Sequence, residues 1–281
     1  MFCINLISEE EREISFIHEN SISLIRHYID KRFNNKKDII ISCSNEDNRC
    51  KVWNMPNWEC LHSIYIRFYG ELTSICFSSI EDNFFIYAST GNNNEPIKYY
   101  DYTFKKEKIL NNSKNETYYI EIFKDFKNNK EYLISCNHSQ VNSYDIEKKI
   151  LYKSFKDFNR NVRHLCAILV RINETTKLIE SDEEGMINIW AFQMSILLEK
   201  INVSKNPINE ILLWKDNYLI SSDYSNLNLI NIEEGKIIKR IKCDNKNELY
   251  SIEKIVLPQE GENLLIQNKS NEQIYMVKEI N

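Results

Sequence analysis

The sequence predicts an all-β chain built from repeated four-stranded units, and three observations carry that prediction. The first is a recurring quartet of apolar, polar, apolar and bulky residues. It stands at Cys50-Lys51-Val52-Trp53, Ile97-Lys98-Tyr99-Tyr100, Val141-Asn142-Ser143-Tyr144, Ile187-Asn188-Ile189-Trp190, Leu227-Asn228-Leu229-Ile230 and Ile274-Tyr275-Met276-Val277, and Ile4-Asn5-Leu6-Ile7 has the same form. The second is the spacing. The quartets end at 7, 53, 100, 144, 190, 230 and 277, in steps of 40 to 47 residues, and a period of this size marks a repeat architecture. The third is the character of the runs between turns. They are short and rich in Ile, Tyr and Phe, with no amphipathic helical stripe among them, as expected of strands.

Taken in order, Phe2–Ile7 and Ile14–Ile17 read as strands on either side of an acidic turn at Glu9-Glu10-Glu11. Residues 22–29, 39–44, 50–53 and 58–66 then make four short strands. The same order recurs at 75–77, 84–87, 97–100 and 105–110, and again at 119–122, 132–135, 141–144 and 150–155. It continues at 165–171, 177–179, 187–190 and 195–201, then at 211–214, 218–221, 227–230 and 236–241. Three last strands fall at 250–257, 264–266 and 274–277. A single four-stranded unit cannot bury both of its faces. Units set around an axis can, and they form a β-propeller with only short outer edges.

No linker or composition break divides the chain, so residues 1–281 read as one domain. The N-terminus is the difficulty, because seven copies of the third strand stand against six clear copies of the second. In one closure Ile14–Ile17 completes the last of six blades. In the other, residues 1–17 are a partial first blade of a seven-bladed-like ring. The second is the expectation taken here.

Composition narrows the function classes. Hydrophobic residues make up 42% of the chain, ample for a core, and the net charge of −5 gives no global attraction to nucleic acid or anionic membrane. No run approaches the ~20 apolar residues of a membrane helix. The eight cysteines contain no C-x-x-C pair and mostly sit in apolar strand contexts. There a free thiol acts as a small hydrophobe, which leads to the expectation of a reducing, cytoplasmic setting.

At the quartets the chain resembles the WD-repeat β-propellers. Glu184-Gly185-Met186-Ile187-Asn188-Ile189-Trp190 is similar to that family's turn and strand, Asp-Gly-Thr-Ile-Arg-Leu-Trp. His18, four residues before Ile22, resembles the family's Gly-His step, with Ile17 in place of Gly. Asp47 lies six residues before Trp53, the family's turn spacing. Tyr100-Asp101 and Tyr144-Asp145 resemble its Trp-Asp pair with Tyr substituted. The resemblance spans the chain, although only Trp53 and Trp190 keep the Trp and only five Gly are present. It implies a hydrogen-bonded network of His18, Ser44, Asp47 and Trp53 in one blade, with Glu184 and Trp190 marking another. It also implies partner binding by loops on one face.

No catalytic, cofactor-binding or metal-ligating set is expected. The five His fall in different units, no H-E-x-x-H or G-x-S-x-G is present, and Gly is too sparse for a phosphate loop. Binding candidates are more definite. Arg160 and Arg163 flank one connection and suit an acidic or phosphorylated group. Trp58, in a turn after Pro56-Asn57, and Tyr69, in the connection Tyr69-Gly70-Glu71, are exposed-aromatic candidates for an interface. The expected function is a non-enzymatic scaffold for proteins or peptides, within a multiprotein complex. The alternatives are a structural subunit whose ring another chain completes, or a small-molecule or enzymatic propeller.

Overall fold

A strand whose quartet is apolar on one face and polar on the other is stable in a sheet interior only where both faces are covered and the polar groups are paired. The computed structural model describes residues 2–4, 11–13, 18–20, 22, 24–30, 37–54, 58–67, 69–80, 83–113, 116–125, 128–215, 217–242, 249–257, 261–268 and 274–277. Among them the secondary structure is entirely strand and turn, with no helix. None is therefore long and apolar enough to cross a membrane.

β1 (Phe2–Ile4) and β2 (Glu11–Glu13) pair as a two-stranded antiparallel sheet. Five four-stranded antiparallel meanders follow. The first is β3 (Leu24–Asp30), β4 (Lys37–Ser44), β5 (Arg49–Asn54) and β6 (Glu59–Tyr65). The second is β7 (Leu72–Ile80), β8 (Asn83–Thr90), β9 (Lys98–Asp101) and β10 (Lys106–Ile109). The third is β11 (Thr117–Lys124), β12 (Glu131–Asn137), β13 (Val141–Asp145) and β14 (Ile150–Phe155). The fourth is β15 (His164–Ile172), β16 (Thr175–Asp182), β17 (Met186–Ala191) and β18 (Ile196–Asn202). The fifth is β19 (Glu210–Trp214), β20 (Tyr218–Ser222), β21 (Asn226–Asn231) and β22 (Lys236–Lys242). A three-stranded sheet of β23 (Leu249–Leu257), β24 (Gly261–Asn268) and β25 (Ile274–Val277) ends the chain.

The quartets fall on the third strand of every four-stranded sheet and on β25. These strands are buried along their length, as in β13, whereas the fourth strands alternate, as in β14. A register shift recurs just before the last quartet residue, at Val52/Trp53, Ser143/Tyr144, Ile189/Trp190 and Leu229/Ile230. The bulge strengthens local twist at a constant place in each sheet. The turn leading into each fourth strand also has one left-handed residue: Trp58, Lys105, Lys149, Ser195 and Gly235, with φ between 48° and 61°. Only one of the five is Gly. The scarcity of Gly in the sequence is thus met by side chains held in a conformation that L-residues adopt at a cost.

The chain forms two compact units, Met1–Glu116 and Thr117–Asn281. In the first, β3 lies against β7, and one core joins Ile39, Ile41 and Val52 to Ile75, Phe84 and Ile86. In the second, β11 lies against β15, β15 against β19 and β19 against β23. The fourth sheet is covered on both faces there. Leu169, Leu178 and Trp190 pack with Tyr132, Ile134 and Phe155 on one side. Val170, Ile179 and Ile189 pack with Ile211, Leu219 and Ile230 on the other.

Two expectations need correction. Glu11, read as part of an acidic turn, lies in β2, opposite Ile4. Hydrophobic alternation cannot reveal a charged strand paired through its backbone. Residues 5–7 and 14–17 lie outside the described residues. The cysteines are not all free thiols either. Cys76, Cys136 and Cys166 are free and buried, but Cys43 and Cys50 are directly opposite on β4 and β5 and are joined as a disulfide. Sequence spacing did not show that antiparallel pairing brings them face to face.

Candidate functional site

In the first sheet the polar residues of the repeat converge on one hydroxyl. His18 Nε2 lies 2.9 Å from Ser42 Oγ, and Trp53 Nε1 donates to the same oxygen at 2.8 Å. His18 Nδ1 is 3.0 Å from Asp47 Oδ2, and Asp47 also accepts from the Asn20 amide at 2.6 Å and the Glu19 backbone at 3.1 Å. A neutral His18 with its proton on Nδ1 satisfies every member: it donates to Asp47 and accepts from Ser42. Burial pushes the His18 pKa down, and this outweighs its hydrogen bond to Asp47. Burial raises the Asp47 carboxyl, but bonds from Asn20, His18 and Glu19 together bring it below the ordinary value. Ser44, expected in this network, instead accepts the Asp47 backbone N–H at 3.4 Å and shapes the turn. Ser42 is the hub.

The fourth sheet builds a counterpart around a carboxylate. His164 Nδ1 lies 2.9 Å from Glu180 Oε2, and Glu180 Oε1 accepts from Asn188 at 2.7 Å and from Trp190 Nε1 at 3.4 Å. Burial lowers the His164 pKa, but Glu180 and Asp182 together raise it above the ordinary value. Burial is also the largest influence on Asp182, and its pKa is raised. Glu184, expected beside Trp190, is instead at the surface and reaches Arg160. The hubs were legible by register: Trp53 is opposite Ile40 and Trp190 opposite Leu178, and each hub lies two residues further along that second strand. Sequence spacing alone hid this, because the turns differ in length.

The expected binding residues part company. Arg160 is largely buried and donates to Asp182 Oδ2 at 2.7 Å and to Glu184, so its guanidinium is already engaged. Arg163 stays half-exposed, with Glu183 Oε2 at 3.7 Å and the Tyr118 ring at 5.7 Å. Trp58 is half-buried at its left-handed turn position, its N–H donating to the Asn54 carbonyl at 2.8 Å. Pro56 and Asn57 beside it lie outside the described residues.

Tyr69 is different. It is 64% exposed and borders a cleft of about 600 Å³. Residues 63–65 of β6, Arg67 and Tyr69 form one wall, and Tyr100 with residues 105–107 forms the other. Arg67 donates to Tyr69 Oη at 3.1 Å and, more weakly, to Tyr65 Oη at 3.5 Å. These bonds, that to Tyr65 foremost, push the Arg67 pKa upward. Lys98, buried and paired with Glu95 at 3.2 Å, sits 4.8 Å from the Tyr69 ring and fixes it from behind. The Glu107 carboxylate accepts the Arg67 backbone N–H at 2.9 Å and ties the walls together. The guanidinium of Arg67 and the ammonium groups of Lys105 and Lys106 have no carboxylate partner among the described residues. Sequence reading found Tyr69 but passed over Arg67 and Lys105-Lys106.

No family model matches the chain, and no curated protein does.

Proposed function

We propose that this chain is a β-propeller of the WD-repeat kind and acts as a non-catalytic module that binds other proteins. Each four-stranded meander stacks on the next through its first strand within a unit, and each covers the other's apolar face. The hub and the Trp recur at the same register, each joined by a histidine, and resemble the family's blade network with Ser42 or Glu180 at its centre. Their titratable groups are bonded to one another, an arrangement that rigidifies turns and presents loops.

The observation that carries the binding function is the cleft beside Tyr69. It combines exposed tyrosines with cations that lack a carboxylate partner among the described residues, on a rigid sheet scaffold. Arg and Tyr in such a setting are the residues that dominate interface energetics. The test is purification of the intact chain from its native extract, followed by gel filtration and native mass measurement. A stoichiometric polypeptide partner is expected. A chain that elutes alone across low and moderate salt overturns the reading.

A second reading is a ring completed by another chain. The three-stranded sheet β23–β25 favours it, because β25 has no fourth strand beside it among the described residues. Co-purification in which the partner is lost when residues 274–281 are deleted, and kept when Arg67 is reversed, selects this reading.

A further inference from the structure

The cleft beside Tyr69 carries enough chemistry to specify its occupant. Its walls belong to two outer strands, β6 and β10, and each is the last strand of its sheet. An edge strand has backbone N–H and C=O groups that no neighbouring strand uses. Arg67, Lys105 and Lys106 face the cleft against the single carboxylate of Glu107, in a chain whose net charge is −5. Glu107 is itself held by the Arg67 backbone. The positive charge is therefore local, and it runs against the sign of the whole.

Two features favour a polypeptide over a single-stranded nucleic acid. Sequence-tolerant binding of bases needs aromatic faces free for stacking. The Tyr69 ring already carries Lys98 Nζ at 4.8 Å and Arg67 Cζ at 5.8 Å. Backbone groups on an open strand edge suit an extended peptide, which recognises them through its own main chain. The guanidinium of Arg67 is orientated by two tyrosine hydroxyls and keeps donors for a carboxylate or phosphate.

Resting on the reading of this chain as an interaction module, we propose that the cleft between β6 and β10 binds an extended acidic peptide segment. Arg67 is the principal anion contact, Lys105 and Lys106 supply the remaining charge, and Tyr69 holds Arg67 in place. Carboxylate and phosphate side chains share the chemistry this arrangement recognises.

The test uses the full chain and short fluorescent peptides in three versions: glutamate-rich, phosphoserine-bearing, and neutral with glutamine and serine in their places. Fluorescence anisotropy should show at least one anionic version binding about tenfold or more tighter than the neutral one, with the preference falling as salt rises. The two anionic versions separate a carboxylate from a phosphate source. Arg67→Glu should weaken that binding by about tenfold or more, and Lys105→Glu with Lys106→Glu by a similar factor. Tyr69→Phe keeps the ring and removes the hydroxyl that holds Arg67, so a smaller loss is expected. All four residues lie at the surface, and unchanged melting temperatures confirm that the variants are folded.

Equal binding of neutral and anionic peptides overturns the proposal, as does anionic binding indifferent to Arg67→Glu. Tight binding of a single-stranded oligonucleotide that Arg67→Glu abolishes, without peptide binding, assigns the cleft to nucleic acid instead. If no peptide binds while the native partner still co-purifies with the Arg67→Glu chain, the cleft assignment fails and the interaction module stands. If neither occurs, both fail.

Discussion

Arg67 and Arg160 stand at the same kind of place, each in the connection that carries the chain from one four-stranded sheet into the first strand of the next. Their surroundings are opposite. Arg160 is met by Asp182, which is fully buried, and by Glu184 at the rim. Arg67 is met by the hydroxyls of Tyr65 and Tyr69. A guanidinium against a buried carboxylate belongs to the fold, because removing it leaves a buried charge uncompensated. A guanidinium positioned by neutral hydroxyls keeps its charge for something outside the chain. Exposure alone does not separate the two roles; the identity of the acceptors does.

The largest expected effect is on the side of Arg160. Arg160→Ala should cost about 3–5 kcal/mol in chemical denaturation, as when one partner of a buried pair is removed. A loss under about 1 kcal/mol would place Arg160 with ordinary surface pairs and dissolve the contrast.

The next effect concerns the hub behind Arg160. Glu180→Gln should destabilise by about 1–3 kcal/mol, because Glu180 accepts from His164, Asn188 and Trp190 in the interior. The cost should depend on pH with a defined sign. The folded pKa of His164 is raised, so its contribution is fully present below its unfolded value of about 6.5 and is lost as pH rises through the folded pKa. The difference between wild type and Glu180→Gln should therefore be larger at acid pH than at alkaline pH. A difference that grows with pH contradicts a raised pKa for His164.

His18 should behave in the opposite way, since its pKa is lowered. Its contribution is present above about 6.5 and is lost as pH falls through the folded value. Ser42→Ala removes a hydroxyl shared by His18 and Trp53 and should cost about 1–2 kcal/mol. The two hubs thus shift their histidines in opposite directions, down for His18 beside Ser42 and up for His164 beside Glu180. Imidazole proton shifts followed by NMR across the titration would expose a reversal of that order.

The smallest effects are at the turns. Lys149→Gly relieves a left-handed residue at φ 58° and should stabilise by about 0.5–1 kcal/mol. Destabilisation by that change would mean that the Lys149 side chain contributes more than its backbone costs.

The fold was legible in the sequence to a large degree, and the site much less so. The quartets marked the third strands because these central strands are covered on both faces, and coverage leaves a strong compositional trace. The pairing of Glu11 with Ile4 left none, because a short charged strand is held by backbone bonds. Ser44 and Glu184 were expected in the networks, yet Ser42 and Glu180 occupy the hubs. Counting from the Trp along the chain fails when turn lengths differ, whereas register across the sheet places both hubs correctly. The cleft was least legible. Arg67 and Tyr69 lie nearly forty residues before Lys105-Lys106 in sequence and meet only because two successive sheets of one unit line the same cleft. Arg160 looked equally available from sequence, since neither Asp182 nor Glu184 announces that it will turn towards it.

The most direct test of that contrast is thermal unfolding of Arg67→Glu and Arg160→Glu beside the wild-type chain under one buffer condition. The account predicts an unchanged midpoint for Arg67→Glu and a marked fall for Arg160→Glu, which sets a third carboxylate against Asp182 and Glu184. Equal midpoints, or a larger fall for Arg67→Glu, would contradict it.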